Sequence, residues 1–588
     1  MKSESTPEEI ANSGLVPQLG TMIGALWAAP VRNTLFVLSG ALFIDIAATA
    51  YGQNRLNTWN QPFYDALSHR DYAEFLAQLR VFGVIAGTLL ILNVAQRWLT
   101  ETLKLRLRQG LARDLIQNWL QKGRAFRLAN AGAIGVNPDQ RMHEDARHLT
   151  ELSADLGVGL LQSSILLCTF VAVLWSLSSN FAFHIGARLV PIPGYMVWAA
   201  VIYSGSASLL SYWVGRSLVE RNAQRYAREA DMRFSLVRVN EHIDAIALAG
   251  GEADEERRIE VDVAAVLAAT GRLVTGLTNL TWVTSGYGWF TLVAPILAAA
   301  PLYFAGNISF GGLMLAAGAF NQVQSSLRWF VDNFSTIADW RATLLRVASF
   351  RRAVIDTDVL HDVESRIGFV DGDPGKFSID DLEIASAAGA TMLKEKKIDI
   401  DAGERVLIVG ESGTGKTLLF RALAGLWPWG AGRVVRPRGE EILYMPRTPY
   451  LPPGTLREVL AYPSAIDAFE PSAYAAALHR LHLDRLTAKL DAHERWDREL
   501  SDDEQQSLAF ARVVLHAPPW LLIDEVLDAL DADVRQCILD ILAQDLTHTG
   551  VIHIGRADAD AQHFARVLHL VKDPNLRRLA AQAAPVAA

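Results

Sequence analysis

The chain has 588 residues, of which 51% are hydrophobic and 20% are charged, and its formal net charge at pH 7 is −9. This length predicts at least two hydrophobic cores, and the composition excludes a disordered chain. The acidic balance argues against nucleic acid as a partner. The sequence has two cysteines, Cys168 and Cys537, far apart and in dissimilar contexts. A disulfide framework and a thiolate metal site are therefore excluded.

Long apolar stretches lie before about residue 345, and they predict a membrane-spanning domain. A helix needs about 20 mainly apolar residues to cross the hydrocarbon core of a bilayer. Six stretches have about that length: 33–51, 81–98, 157–178, 192–215, 273–304 and 310–331. Beyond about residue 350 the apolar runs are too short to span a bilayer. The sequence therefore predicts six membrane helices followed by a soluble half.

Several predicted spans contain polar side chains. Asn279 and Gln324 interrupt the fifth and sixth, and we expect such residues to face the helix bundle, where they either hydrogen-bond to other helices or line a wet cavity. Asp45 is a carboxylate inside the first span. Ionisable residues at such depth are costly and often functional, so Asp45 is a candidate for contact with a proton or a substrate.

Basic residues predict the orientation of the chain. The segments between spans two and three and between spans four and five are rich in Arg and Lys, whereas the segment between spans one and two has few. The positive-inside rule places the two rich segments in the cytoplasm, and six spans then place both termini there. The start, MKSESTPEEIANSG, is polar and acidic and does not read as a signal peptide. The next stretch, LVPQLGTMIGALWAAPV, predicts an interfacial helix.

A phosphate-binding loop is predicted in the soluble half. The segment GESGTGKT lies between a strand-like run and a helix-like run, as this loop requires. Its glycines let the backbone wrap around phosphates, and the amides at the helix start attract negative charge. Lys416 is expected to reach the β- and γ-phosphates, and Thr417 to bind Mg²⁺. The predicted nucleotide-binding residues of the loop are Gly410, Glu411, Ser412, Gly413, Thr414, Gly415, Lys416 and Thr417.

A second motif supplies acids for nucleotide chemistry. The segment WLLIDEVLDALD predicts a buried strand that ends in Asp524 and Glu525. Asp524 suits Mg²⁺ coordination through water, and Glu525 suits the general base that polarises the attacking water. Between the two motifs, LSDDEQQSLAFARVVLHAP predicts an amphipathic helix with Ser501 as its N-cap and Glu504 completing a capping box.

These motifs together resemble those of ATP-binding cassette proteins. Their order is the phosphate loop, an L-S-x-x-E segment, apolar-Asp-Glu, and then Ala529-Leu530-Asp531 as a D-loop. The resemblance implies ATP and Mg²⁺ as cofactors and ATP hydrolysis as the activity. In this family two cassettes pair head to tail, and the L-S segment of one closes on the nucleotide held by the other. Ser501 is thereby implied as an ATP-binding residue, and Asp531 as the D-loop acid.

The membrane half is similar to the SbmA/BacA-type transmembrane domain and to that of subfamily D transporters. The similar segments are NPDQRMHEDARHLTELSADL from Asn137, MRFSLVRVNEHIDAIALAGGEADE from Met232 and the segment that begins at Ala300, with MPRTPYLPPGTLREVLAYP from Met445 in the soluble half. The resemblance implies a half-transporter that dimerises and takes up varied hydrophilic cargo, such as peptides or cobalamin, across the bacterial inner membrane.

The predicted fold is a multidomain membrane protein, with an all-α, six-helix transmembrane domain of the exporter-like kind and an α/β P-loop ATPase domain. We predict a tail and interfacial helix over 1–32, the transmembrane domain over 33–350, a linker over 351–375, the nucleotide-binding domain over 376–575 and a tail over 576–588.

Three positions depart from the family's pattern. The Q-loop Gln falls on Arg447, the signature Gly on Asp503 and the switch His on Arg556. Asp503 would repel ATP, whereas Arg447 and Arg556 pair well with phosphate or carboxylate. Since Asp503 would come from the opposite chain, an Arg–Asp contact across the interface could compensate for the charges. The alternative is plain loss of function in a slow or inactive ATPase.

The predicted function is an ATP-driven homodimer that takes up a hydrophilic or amphipathic solute. A homodimer is favoured because a consensus partner would repair neither composite site fully. Two alternatives remain open: a fatty-acyl exporter, and a nucleotide-gated or proton-coupled carrier with little hydrolysis. The predicted partners are a second copy of the chain, the lipid bilayer and the transported solute.

Overall fold

The computed structural model describes residues 15–28, 30–121, 123–129, 138–179, 181–185, 188–356, 366–386, 389–556 and 561–573. The chain divides into two units. The first unit comprises Met1–Trp119 and Asn137–Val354, and the second comprises Leu120–Val136 and Ile355–Ala588. Residues 1–14 of the predicted N-terminal segment 1–32, and the whole predicted C-terminal tail 576–588, lie outside the described residues.

The first unit is made of long helices and one short hairpin. Its helices are α1 (Leu15–Ala28), α2 (Arg32–Ser68), α3 (Tyr72–Trp119), α5 (Pro138–Ser178, with a π-turn at Arg141–Asp145), α6 (Tyr195–Glu241), α7 (Ile243–Ala249), α8 (Glu252–Phe290), α9 (Ala294–Phe304), α10 (Phe310–Asp332) and α11 (Phe334–Asp356). Strands β1 (Ala182–Ile185) and β2 (Arg188–Pro191) form the antiparallel hairpin. α1 occupies the stretch predicted as an interfacial helix.

Among the described residues, five helical segments are long and apolar enough to cross a membrane. They are α2, α3, α5, α6 and the pair α8–α9, and each contains most of one predicted span. The helices run well past the predicted limits because their polar ends continue the same helical backbone. The sixth predicted span coincides with α10, which is a helix but is not among the five apolar segments.

α10 packs inside the bundle. It contacts α2, α5 and α6, and Gln324 on it is only 5% exposed. Burial against other helices suits a helix of lower hydropathy, because its polar groups do not face lipid. The prediction that polar residues face the bundle is therefore confirmed for Gln324, whereas Asn279 of α8 lies on the exposed surface of the chain.

Close approach between α2 and α10 depends on small residues. A Cβ atom at Gly311 would collide with the carbonyl oxygen of Gln61, and one at Gly318 would collide with Asn57. Asp65 of α2 accepts hydrogen bonds from the Ser309 hydroxyl and the Gly311 amide, both at 2.8 Å. Glycine therefore lets the helices approach closely enough for these bonds to form.

The second unit is built on a ten-stranded mixed sheet. Its strands are β3 (Gly368–Gly372), β4 (Lys376–Ser386), β5 (Gly389–Leu393), β6 (Lys397–Asp401), β7 (Arg405–Val409), β8 (Gly430–Pro437), β9 (Ile442–Met445), β12 (Trp520–Asp524), β13 (Gly550–Gly555) and β14 (Arg566–Asp573). The order across the sheet is β3-β8-β4-β5-β14-β7-β13-β12-β9, with β6 paired to β4. Strands β14, β7, β13, β12 and β9 are parallel neighbours.

Helices and short turns complete the second unit. The helices are α4 (Arg124–Ala129), α12 (Lys416–Leu423), α13 (Leu456–Ala461), α14 (Pro471–Arg480), α15 (Trp496–Glu499), α16 (Asp502–His516) and α17 (Ala532–Gln544), and a two-stranded sheet joins β10 (Gly454–Thr455) to β11 (His493–Glu494). α4 comes from the segment between α3 and α5, and the Arg421 guanidinium lies over its Phe126 ring, 5.6 Å from the centroid.

The parallel strands bring the predicted motifs to one edge of the sheet. The phosphate loop follows β7, the Asp524–Glu525 pair ends β12, and Arg556 follows β13. Since β7, β13 and β12 are parallel neighbours, their carboxyl ends lie side by side, where α/β sheets bind ligands. The two strands β12 and β13 are buried along their whole length. Regular structure extends into the predicted linker 351–375, because α11 continues through Asp356 and β3 occupies Gly368–Gly372.

Candidate functional site

The phosphate loop follows β7, and side chains of two other strands donate hydrogen bonds to its backbone. The Thr391 hydroxyl of β5 donates to the Thr414 carbonyl at 2.8 Å, and the Lys572 ammonium of β14 donates to the Gly413 carbonyl at 3.3 Å. Gly415 has φ +99°, and a Cβ atom there would lie 2.5 Å from the Thr391 hydroxyl. Only glycine fits this conformation at this distance. The loop backbone is therefore preorganised as a cradle for phosphate.

Lys416 links the loop to the acid pair. Its ammonium lies 2.6 Å from the Glu525 carboxylate and donates to the Gly410 carbonyl at 3.2 Å. Glu525 directly follows β12 and has φ +54°, in the left-handed region. A β- or γ-phosphate bound by Lys416 would compete with Glu525 for this ammonium. Nucleotide binding can thus release Glu525 to accept a proton from water.

Asp524 has the environment of a metal ligand. It is 2% exposed, and burial raises the pKa of its carboxyl, an effect that the Thr417 hydroxyl opposes by hydrogen bonding. Its Oδ1 atom is buried without a hydrogen-bond partner. An unpaired buried carboxylate oxygen is costly, and Mg²⁺ would supply the missing positive charge. Thr417 and Asp524 therefore fit the predicted Mg²⁺ site.

Asp528 belongs to this site, although sequence reasoning missed it. It lies three residues after Glu525, and its Oδ2 atom accepts the backbone N–H of Arg556 at 3.0 Å. Burial raises the pKa of its carboxyl, while Arg556 and Lys416 act in the opposite direction. Asp528 therefore fixes the start of the loop that carries Arg556. The sequence feature that could have indicated this role of Asp528 is its position as the third acid of the motif DEVLDALD.

His553 is a buried residue of β13, the strand that leads to Arg556. It is 1% exposed and its ring stacks on Phe564, with centroids 5.7 Å apart. Burial lowers its pKa from 6.5 to about 4, so the ring is neutral at pH 7. The prediction that His553 does not replace the missing switch His is consistent with this burial, because a buried ring cannot reach a bound phosphate.

Acidification is expected to destabilise the second unit through His553. Its folded pKa of about 4 lies below the ordinary 6.5, so the unfolded chain binds more protons between these values. This contribution to stability is present above pH 6.5 and is lost as the pH falls towards 4, by about 3 kcal/mol in total. Intrinsic tryptophan fluorescence during heating should show a fall in Tm between pH 7 and pH 5 that is smaller in His553→Leu. An equal fall in both proteins would contradict this assignment.

The signature segment begins α16 with the predicted capping box. The Ser501 hydroxyl accepts the Glu504 amide at 3.4 Å, and the Glu504 carboxylate accepts the Ser501 amide at 3.2 Å. The capping-box prediction is confirmed. Asp503 is exposed in the same turn, next to the exposed Asp502. The first turn of α16 thus carries three acids, Asp502, Asp503 and Glu504, which neutralise the positive end of the helix dipole.

Arg447 at the Q-loop position and Arg556 at the switch position are both exposed. Arg447 follows β9, and its carbonyl accepts a hydrogen bond from the Gln506 side chain of α16. Within the described part of the chain, neither guanidinium of Arg447 and Arg556 forms an ion pair or a hydrogen bond, and the Asp503 carboxylate forms none either. Arg447 and Asp503 are therefore free to meet other groups, while Arg556 also acts electrostatically on Asp528. Asp531 is exposed at the start of α17, of which it is the N-cap residue.

One chain thus assembles the phosphate loop, Lys416, Thr417, Asp524 and Glu525 in contact with one another. In the described part of the chain, Ser501 forms its hydrogen bonds with Glu504, and no hydrogen bond or ion pair joins Ser501 or Asp503 to these residues. Sequence reasoning also missed Thr391 and Lys572, which support the loop from distant strands. A single sequence gives no signal for either, because their role depends on the order of strands in the sheet.

Two family models match the chain. Residues 28–297 match ABC transporter transmembrane region 2, and residues 393–528 match ABC transporter. The second match contains the phosphate loop and the acid pair, and it implies ATPase activity coupled to transport.

Similar proteins agree with these matches. The chain is 26% identical over 546 residues to the inner membrane ABC transporter ATP-binding protein YddA of Escherichia coli (strain K12), over 92% of this chain and 95% of YddA. It is 27% identical to ABC transporter D family member 2, chloroplastic, of Arabidopsis thaliana, over 86% of this chain and 79% of that protein. The predicted likeness to subfamily D is thereby supported, while the SbmA/BacA likeness stays a prediction.

A solved structure shows the same fold. The structure of a bacterial Atm1-family ABC exporter with ATP bound matches with a TM-score of 0.66 at 18% identity, over 94% of this chain and 95% of that one. This confirms the predicted exporter-like fold with a P-loop ATPase domain. The chain is therefore an ABC transporter in which a transmembrane region is fused to an ATP-binding cassette.

Proposed function

We propose that the protein is a homodimeric half-transporter that hydrolyses ATP to take up a hydrophilic or amphipathic solute across the bacterial inner membrane. The observation that carries this proposal is the contact of Lys416 with Glu525, beside the buried Asp524. A cassette that only bound Mg-ATP would need the metal acid but not the base. The retention of Glu525 in contact with Lys416 therefore supports turnover.

The proposed nucleotide site lies at the carboxyl ends of β7 and β12. Residues Gly410 to Thr417 would bind the phosphates, and Thr417 and Asp524 would hold Mg²⁺, which supplies positive charge to the β- and γ-phosphate oxygens. Glu525 would accept a proton from the attacking water once a phosphate competes for Lys416. Arg447 and Arg556 would lie near the same nucleotide, since both follow strands at this edge.

The second copy would contribute Ser501, Asp503 and Asp531. In a head-to-tail pair, the first turn of α16 faces the nucleotide held by the partner. Its helix end cannot attract phosphate in the usual way, because its acids cancel the positive dipole end. Asp503 would instead pair with Arg447 or Arg556 of the partner subunit. Such a pair would be charge-assisted and bidentate, which suits Arg and carboxylate.

Location and direction of transport are part of the proposal. The relative named YddA is an inner membrane protein, and the positive-inside rule with six spans supports cytoplasmic termini. The resemblance of the membrane half to SbmA/BacA-type domains supports uptake of varied hydrophilic cargo, such as peptides or cobalamin. A cavity lined by positive charges would support the alternative of a fatty-acyl exporter. The predicted spans have no cluster of Arg or Lys, so this alternative is less favoured.

Transport into membrane vesicles tests the proposal. Right-side-out vesicles loaded with Mg-ATP are expected to accumulate a labelled hydrophilic peptide or cobalamin when they contain the wild-type protein. Vesicles with Glu525→Gln should accumulate no more than empty vesicles. Equal accumulation by both proteins would instead identify a nucleotide-gated or proton-coupled carrier, and the absence of any accumulation would contradict these two cargo classes.

A further inference from the structure

A line of polar side chains runs along α2. Asp45, Thr49, Gln53 and Asn57 follow one another at four-residue spacing, and side chains at this spacing are neighbours along one side of a helix. The line continues through polar residues towards Asp65, near the end of the helix. Asp45 and Thr49 lie within the apolar stretch 33–51, and Asp45 is the member nearer its middle.

The line ends at a closed apolar layer. Beyond Asp45, the next residues of α2 on this side belong to a cluster with α3 and α5, which contains Leu38, Leu42, Ile46, Leu103 and Ala154. The line of polar side chains therefore ends at Asp45 and extends from there only towards the Ser68 end of α2.

The deep part of the line has unsatisfied oxygen atoms. Asp45 is 7% exposed and Thr49 is 1% exposed. Asp45 Oδ2, Thr49 Oγ1 and Gln53 Oε1 are buried without a hydrogen-bond partner. The outer part differs, because the Asn57 amide donates to the Leu315 carbonyl at 3.2 Å. An ionised carboxylate with an unpaired buried oxygen is costly inside a bundle, so binding of a proton at Asp45 would be favourable.

The helix packed against α2 adds a polar layer at the same depth. Gly52 faces Leu89 of α3, and continuing this antiparallel register places Asp45 opposite about Gln96. The Gln96 side chain donates to Gln162 of α5 at 3.0 Å. Polar groups of three helices thus lie at one level, with Asp45 as their only carboxylate.

Several charged groups on the neighbouring helices form ion pairs with one another. On α3, Arg97 pairs with Glu101 at 3.0 Å, and Lys104 pairs with Glu101 and with Asp155 of α5 at 3.2 and 2.8 Å. On α5, Arg147 pairs with Glu144 and Glu151; on α10, Arg328 pairs with Asp332 at 3.3 Å. α1 has no charged residue. Within the described residues, no cation pairs with Asp45.

We propose that Asp45 is a proton-binding site of the membrane domain, filled from the Ser68 end of α2. A proton from water bonds to a carboxylate oxygen, which removes the buried charge and converts Asp45 into a donor. The Thr49 hydroxyl, one turn away, can accept that hydrogen bond. Carboxylates that take this role inside membrane domains form proton relays. The site is independent of the cassette, so its test does not depend on ATP hydrolysis.

Labelling with N,N′-dicyclohexylcarbodiimide tests the site directly. This apolar reagent reacts with protonated carboxyl groups within membranes, and peptide mass spectrometry locates the product. We expect modification of Asp45 in the full-length protein in lipid vesicles, with a yield that falls by up to about tenfold per pH unit as the pH rises. Asp45→Glu should retain the labelling and Asp45→Asn should lose it. The exposed Asp231, which pairs with Arg228, is the internal control and should remain unlabelled.

Two outcomes would overturn the proposal. One is an unlabelled or pH-independent Asp45 in protein whose α2 peptide is recovered. The other is protection of Asp45 when NaCl replaces choline chloride at constant pH, since this would identify a Na⁺ site. Labelling that depends on pH alone supports the proton site. The result leaves the ATPase proposal untouched in either direction.

Discussion

Replacing Asp503 by Arg is expected to slow ATP hydrolysis by about tenfold or more, because like charges placed together at an interface cost several kcal/mol. In the proposed head-to-tail pair, the new Arg would face Arg447 and Arg556 of the partner subunit. Neither arginine side chain is paired within the described part of its own chain, and both are exposed. The new repulsion would therefore act between the two copies and oppose their closure on ATP.

A second substitution should restore part of the rate. Asp503→Arg combined with Arg447→Asp or with Arg556→Asp recreates an opposite-charge pair across the interface. Phosphate release from Mg-ATP, measured in lipid vesicles at low and high salt, compares the three variants with wild type. Asp502→Arg is the matched control, because Asp502 is the neighbouring exposed acid of the same helix turn. If neither double variant hydrolyses ATP faster than Asp503→Arg alone, the compensation hypothesis is wrong.

Replacing Glu525 by Gln is expected to slow hydrolysis by about 10²- to 10⁴-fold, the contribution of a general base. Gln has nearly the same shape and cannot accept the proton of the attacking water. ATP binding should remain, since Lys416 and the loop backbone are unchanged and Lys416 loses a competing carboxylate 2.6 Å away. Binding of a fluorescent ATP analogue and phosphate release, measured on one preparation, separate the two effects.

Asp524→Asn is the contrasting variant for Glu525→Gln. It removes the charge that suits Mg²⁺ and should weaken binding of Mg-ATP as well as hydrolysis. If Glu525→Gln lost ATP binding to the same extent, Glu525 would be a structural residue of the site and not the base.

The fold could be predicted largely from local patterns. Apolar stretches about as long as a bilayer is thick marked the membrane helices, and the glycines with Lys416 and Thr417 marked the phosphate loop. The capping box at Ser501 was predictable because its partners lie three residues apart. These signals share one property, which is that each depends on residues close together in the sequence.

Other features depend on distant residues and gave no such signal. Thr391 and Lys572 support the phosphate loop only because β5, β14 and β7 are neighbours in the sheet. Asp528 acts by holding the Arg556 amide, 28 residues further along. α10 lies in the interior of the helix bundle. Its hydropathy is therefore lower than that of the other predicted spans, although it belongs to the membrane domain. Helix ends were also missed, because backbone hydrogen bonds continue past the apolar stretches.

Glu525 still contacts Lys416, although the Q-loop, signature and switch positions are altered. The central question is therefore whether the wild-type protein hydrolyses ATP. The most direct measurement is steady-state phosphate release from Mg-ATP by the purified wild-type protein in lipid vesicles, beside Glu525→Gln. An ATP-driven transporter predicts saturable turnover by wild type that is lost in Glu525→Gln, while both proteins bind ATP. If both proteins bind ATP and neither releases phosphate, the proposal of an ATP-driven transporter is contradicted. The protein would then be a carrier that ATP binding only gates.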